Sequence, residues 1–326
     1  MLKLTDAAKQ GKAQIVIDAI HSGVAVDLQQ LLRKVFQDFH TIRKGPGHQE
    51  LAEYLLAAGA QPERELVYEA ARGGHANLIT LLLDRGLERD LFVAAALGET
   101  KEVELHLSSI HECDSQGMTP LHYGCGSSVW RGSPDGQQRQ AETTSRLLQG
   151  GADPNATSAY CGLVDVTPLF CVAWTGGHIE IANQLLTAGA KITPNVFFAA
   201  VGHFQRHGDG NYEIAALLLK HGFDINAGEE RMALHAFAAH EDARGVAWLL
   251  DHGADVDARD ADGNTPLIAA AKRNSGVKVI QQLIDAGADL AAVNNAGLDA
   301  LHAAQIAGKS KTTTLLQQAI TSREAT

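Results

Sequence analysis

Apolar residues along the chain cluster in short stretches at helical spacing, separated by polar, glycine-rich segments. Residues 265–291 show the pattern most clearly. Thr265-Pro266 predicts a helix start, because Thr offers an N-cap oxygen and Pro fits a first position that needs no N–H. Leu267, Ala269, Ala270 and Ala271 then make a thin helix that neighbours can approach closely. A second helix is predicted with Val277, Ile280 and Ile284 as its apolar stripe, ended by Gly287. Comparable Gly stops at Gly189, Gly222, Gly253 and Gly287 lie 33, 31 and 34 residues apart, each after a Leu-Leu or Leu-Ile pair. A period of this length marks one small unit stacked many times. Such a stack has no deep closed core and works by presenting a long surface.

The unit resembles the ankyrin repeat, whose opening signature runs Thr-Pro-Leu-His. Matching residues are Thr119-Pro120-Leu121-His122, Thr167-Pro168-Leu169-Phe170 and Thr265-Pro266-Leu267-Ile268, with weaker matches at Ala233-Leu234-His235 and Ala300-Leu301-His302. Gly74-His75 and Gly177-His178 match the family's link between helices, and 151–156, 222–227 and 253–258 match its closing segment. The resemblance implies an all-α solenoid with a few β-hairpin fingers, elongated and right-handed. Ten units are expected, at 3–26, 27–60, 61–87, 88–113, 114–155, 156–191, 192–227, 228–258, 259–292 and 293–320. One continuous repeat domain over 1–320 and a polar tail over 321–326 follow. In the family, partners are recognised by the hairpin tips and the inner face of the first helices, which implies a noncatalytic adaptor or inhibitor that binds a protein.

Departures from the repeat are where a specific function is sought. Residues 124–140 replace a short connection with a Gly-, Ser- and Pro-containing loop holding Trp130 and Arg131. Smaller loops span 40–48 and 203–211, the latter with His203, Phe204, Arg206 and His207. The finger between Ala156 and Thr167 is longer than that between Ala258 and Thr265, and contains Tyr160, Cys161 and Leu163. The joins near 60–65, 87–90 and 190–195 are too short for full fingers. The elaborated middle, 124–211, is therefore the expected binding region. Trp130 and Arg131 are its first candidates as anchors, against the alternative that Trp130 folds back as a cap on the stack. Trp174, Lys272 and Arg273 end first helices and complete the candidate set, whereas Trp248 reads as packed within a second helix.

Net charge is −11, which argues against nucleic-acid binding and is compatible with a basic or neutral protein partner. No apolar run has signal-peptide or membrane-span length. The four cysteines form no CxxC pair, so reduced thiols, a cytoplasmic location and a monomer are expected. His203 and His207 share a helical spacing but have no third ligand nearby, and Cys125 beside His122 has no orienting acid. Metal, cofactor and catalytic roles are therefore not expected. The rival reading is an enzyme or small-molecule binder using a pocket edged by the 124–140 and 203–211 loops.

Overall fold

The computed structural model describes residues 4–37, 45–127, 129–130, 133–160, 163–175, 178–202, 211–228, 233–273 and 276–324. Twenty α-helices and one two-stranded hairpin are present among them, and each expected unit holds one helix pair. The pairs are α1 and α2 (Leu4–Lys9, Ala13–His21), α3 and α4 (Leu28–Phe36, Pro46–Ala57), and α5 and α6 (Arg64–Arg72, Ala76–Leu83). Next come α7 and α8 (Leu91–Leu97, Thr100–Leu105), α9 and α10 (Pro120–Gly126, Pro134–Gln149), and α11 and α12 (Pro168–Thr175, Ile179–Thr187). The remainder are α13 and α14 (Pro194–Val201, Tyr212–Lys220), α15 and α16 (Ala233–Ala239, Ala243–Asp251), α17 and α18 (Pro266–Lys272, Val277–Asp285), and α19 and α20 (Ala300–Ile306, Ser310–Glu324). The fold is an all-α ankyrin-type solenoid.

Local chemistry explains these boundaries. Thr265 Oγ1 accepts the Ile268 N–H at 3.3 Å, and Pro266 occupies the first turn. Gly287 has φ +94°, the left-handed conformation that ends α18 and leaves room for the chain to reverse. One detail departs from the expected stripe. The buried face of α18 is Val279, Ile280 and Leu283, while Val277 is exposed at the first turn. Val279 and Leu283 stand four apart and Ile280 flanks both, which is the i, i+3, i+4 geometry of a helix on one neighbour.

The contacts divide the chain into two compact units, Met1–Lys191 and Ile192–Thr326. In the first, the first helices α5, α7, α9 and α11 lie in a row, and every residue of α7 is buried. The elaborated finger forms β1 (Ser158–Tyr160) and β2 (Leu163–Val166), antiparallel with Tyr160 opposite Leu163 and a bulge between the two paired positions. In the second, α15, α17 and α19 form the row of first helices.

Two expected boundaries move. The insertion after α9 is only partly a loop: Ser133 Oγ accepts the Gly136 N–H at 3.3 Å and Pro134 opens α10, which runs 16 residues. The same Ser-Pro chemistry that starts other helices in this chain therefore converts 134–140 from loop to helix. At the carboxyl end, α20 continues through Glu324, so residues 321–324 of the expected tail are helical.

Candidate functional site

The finger of the first unit is fixed to the stack by histidine. His122 is fully buried in α9; its Nδ1 accepts the Thr119 N–H at 3.1 Å, and its Nε2 donates to the Val166 carbonyl at 2.9 Å. Burial holds the imidazole below the ordinary histidine range, with the Val166 carbonyl working in the opposite direction. On the other edge, the Ala159 N–H donates to Gln116 O at 3.1 Å, tying this finger to the preceding one. Outward on this finger Val164 is 70% exposed and Leu163 half-buried, with Thr157 and Asp165 also exposed. Trp174, half-buried at the end of α11, stacks on Phe170 with ring centroids 5.7 Å apart.

Trp130 sits in a different chemical setting from that of a free loop tip. Its indole N–H donates to the Leu97 carbonyl at 2.7 Å, and the Arg139 guanidinium covers its ring at 4.5 Å. Gly136 lets α10 approach the indole, since a Cβ there would lie 2.7 Å from the ring. Two neighbours act alike: Ser127 Oγ donates to Ala96 O and Gln140 Nε2 to Ala95 O, each at 2.7 Å. Ala95 O also accepts the Gly98 N–H at 3.3 Å, and three side chains of the next repeat complete the carbonyl end of that helix. Trp130 remains partly exposed to solvent.

Beside α7, a charged network links repeats that are not adjacent. The Arg72 side chain on α5 is 2% exposed, and its Nη1 donates to Asp114 Oδ2 at 2.6 Å and to Tyr123 Oη at 2.7 Å. Tyr123 Oη in turn donates to Asp114 Oδ2 at 2.6 Å, while Glu69 pairs with Arg72 Nη2 at 2.9 Å. Burial raises the Tyr123 phenol well above its ordinary range, so it is a neutral donor here. Cys125 is likewise held as a thiol: it is buried, and burial and the nearby Cys171 push its pKa up.

In the second unit, Lys272 and Arg273 are both exposed at the end of α17, with Lys272 Nζ 3.5 Å from Asn264 Oδ1. The equivalent end of α19 carries Ile306, 74% exposed, and Val293 is exposed on the finger before α19. His235 repeats the finger-fixing role, its Nε2 donating to Asn264 O at 2.8 Å. His302 does not: its Nδ1 meets Asp299 Oδ1 at 2.8 Å instead. Trp248 lies half-buried in α16, stacked on His252 at 3.9 Å and against Tyr212 at 5.1 Å.

The candidates are thus split between units. Trp130, Leu163 and Trp174 belong to the first, Lys272 and Arg273 to the second. Arg131 and the group His203, Phe204, Arg206 and His207 lie outside the described residues, and of Tyr160 only the backbone is described. The 203–210 part of the pocket edge named in the enzymatic alternative lies outside the described residues as well. Among the described residues, no cluster of three or more His, Cys, Asp or Glu is placed to hold a metal ion, and no helix is long and apolar enough to cross a membrane. Sequence reasoning missed Val164, Val293 and Ile306 on the finger and first-helix side; each has apolar sequence neighbours, so its exposure is visible only once the register is known.

Residues 203–294 match the family model described as ankyrin repeats in three copies, and residues 116–159 match the single ankyrin repeat model. Neurogenic locus notch homolog protein 1 of Xenopus tropicalis is 36% identical over 154 residues, 42% of this chain and 6% of that protein. Ankyrin repeat protein nuc-2 of Neurospora crassa is 30% identical over 251 residues, 70% of this chain and 22% of that protein. The chain therefore spans only a small part of these relatives. The human ASB11 ankyrin repeat domain superposes with a TM-score of 0.51 at 25% identity, covering 78% of this chain and 96% of that domain. The Bcl-3 ankyrin repeat domain gives 0.54 at 20% identity, covering 71% and 98%, a likeness of fold.

Proposed function

From a chain that carries ankyrin repeats over 116–159 and 203–294, we propose a noncatalytic module that binds a partner protein, as an adaptor or inhibitor. Ankyrin repeats are generally protein-interaction modules, and the finger and first-helix side is the surface this reading uses. The observation that carries it is apolar exposure there. Val164 stands in solvent on the finger of the first unit, and in the second unit Val293 and Ile306 are exposed, as are Lys272 and Arg273 at the end of α17. Large apolar side chains set among charged ones are the composition of an interface core and its rim. Trp174 and Trp130, both partly exposed, add aromatic surface of the kind that anchors interfaces. A cytoplasmic, monomeric protein with a basic or neutral partner completes the proposal, consistent with a net charge of −11.

Site-specific photocrosslinking in the native host tests this. A benzophenone side chain replacing Val164 or Ile306 is expected to trap a discrete protein adduct, and one replacing exposed Asp285 on α18 is not. Adducts of equal yield from all three positions, or none from Val164 and Ile306, would overturn the reading.

A further inference from the structure

The second-helix side of the first compact unit carries a groove of about 510 Å³, over α10 and between α8 and α12. Its floor is made by Ala141 and Ser145, four residues apart on α10, and small side chains there let another helix approach closely. Glu104, Glu142 and Glu180 line it with a single cation, Arg146. Arg146 Nη2 is paired with Glu104. Glu142 and Glu180 hold only amides, from Gln138 Nε2 at 3.0 Å and Gln184 Nε2 at 3.4 Å. Three carboxylates against one guanidinium leave a formal net charge of −2. Gln184 Oε1 is buried in the groove wall and accepts no hydrogen bond among the described residues. Next in sequence to the lining glutamates are exposed apolar residues, Leu105 after Glu104 (75% exposed) and Ile179 before Glu180 (46% exposed).

These features agree on one occupant. An acceptor lacking a donor and two carboxylates lacking cations call for Lys or Arg, and Leu105 and Ile179 call for an apolar stripe alongside them. We propose that this groove docks a basic amphipathic helical segment of a partner protein. It is a second surface, on the opposite helices of the repeat from the finger side, and does not depend on what the fingers bind. Attraction of this kind steers association and weakens as salt rises.

Fluorescence anisotropy of a labelled, helix-forming alanine–lysine–leucine peptide with the full chain tests it at low salt. Saturable binding is expected. The triple variant Glu104→Gln, Glu142→Gln, Glu180→Gln should weaken it roughly tenfold or more, the order of discrimination that charge complementarity supplies. The variant Ser145→Trp, which fills the floor without changing charge, should weaken it comparably. A control triple of equal charge change, Asp251→Asn, Asp262→Asn, Asp285→Asn, all exposed in the second unit, should leave it within about twofold. Circular dichroism and melting temperature confirm that each variant folds. Equal loss from both triples would make the attraction nonspecific; no saturable binding, or equal binding of an alanine–glutamate–leucine peptide, would also overturn the proposal.

Discussion

Trp130 shows how much one side chain does in this molecule. Its N–H completes the Leu97 carbonyl, its ring lies under Arg139, and Gly136 gives it space. Trp130→Ala removes that donor and part of a buried aromatic face, so a loss of about 2 kcal/mol in urea unfolding is expected. Trp130→Phe keeps most of the face but not the donor, and should lose about half as much, the worth of one hydrogen bond. Equal, negligible losses from both would mean that the capping contact adds nothing to stability. The sequence left two roles open for this residue, anchor or cap. The cap's target was not legible because it is a backbone carbonyl, which has no residue identity to read 33 positions upstream.

At the scale of elements, the best-read parts were those whose signals are local. Thr265-Pro266 and Gly287 fix the two ends of a helix pair through a hydroxyl, a ring and a missing Cβ, all visible in sequence. Ser133-Pro134 carries the same start signal, yet the surrounding glycines suggested a loop, and α10 begins there. Nonlocal ties were unreadable. Arg72 sits at the end of α5, and nothing near it in sequence announces Asp114, 42 residues on. Yet that pair joins α5 to the turn before α9, spanning a repeat too short for its own full finger. Arg72→Met should cost about 3 kcal/mol, because the Asp114 side chain, 0% exposed, then stays buried without its charge partner. Adding Asp114→Asn should recover part of the loss in a double-mutant cycle. Strict additivity of the two losses would contradict the coupling. The groove over α10 escaped sequence reasoning for a related reason: Glu104, Glu142 and Glu180 come from three repeats and meet only when their second helices pack.

At the scale of the whole molecule, a buried histidine fastens a finger in each compact unit, His122 in the first and His235 in the second. Burial lowers both from the ordinary value of 6.5, with the Val166 and Asn264 carbonyls acting against it. The unfolded chain therefore takes up these protons first as pH falls. Their stability contribution is complete above about pH 6.5 and is lost below it as pH drops through the folded pKa. The limiting slope is about 1.4 kcal/mol per pH unit for each histidine. Melting temperature should fall between about pH 7 and pH 5, and more gently in a His122→Asn, His235→Asn double variant. An unchanged slope in that variant would rule the two imidazoles out as the source. The closure of α7 has a further consequence, in the order of events on the ribosome. Its three closing side chains lie 31, 33 and 45 residues downstream. A nascent chain arrested anywhere before Gln140 leaves the exit tunnel with the fourth repeat translated but unsealed, so this repeat matures only in step with its successor.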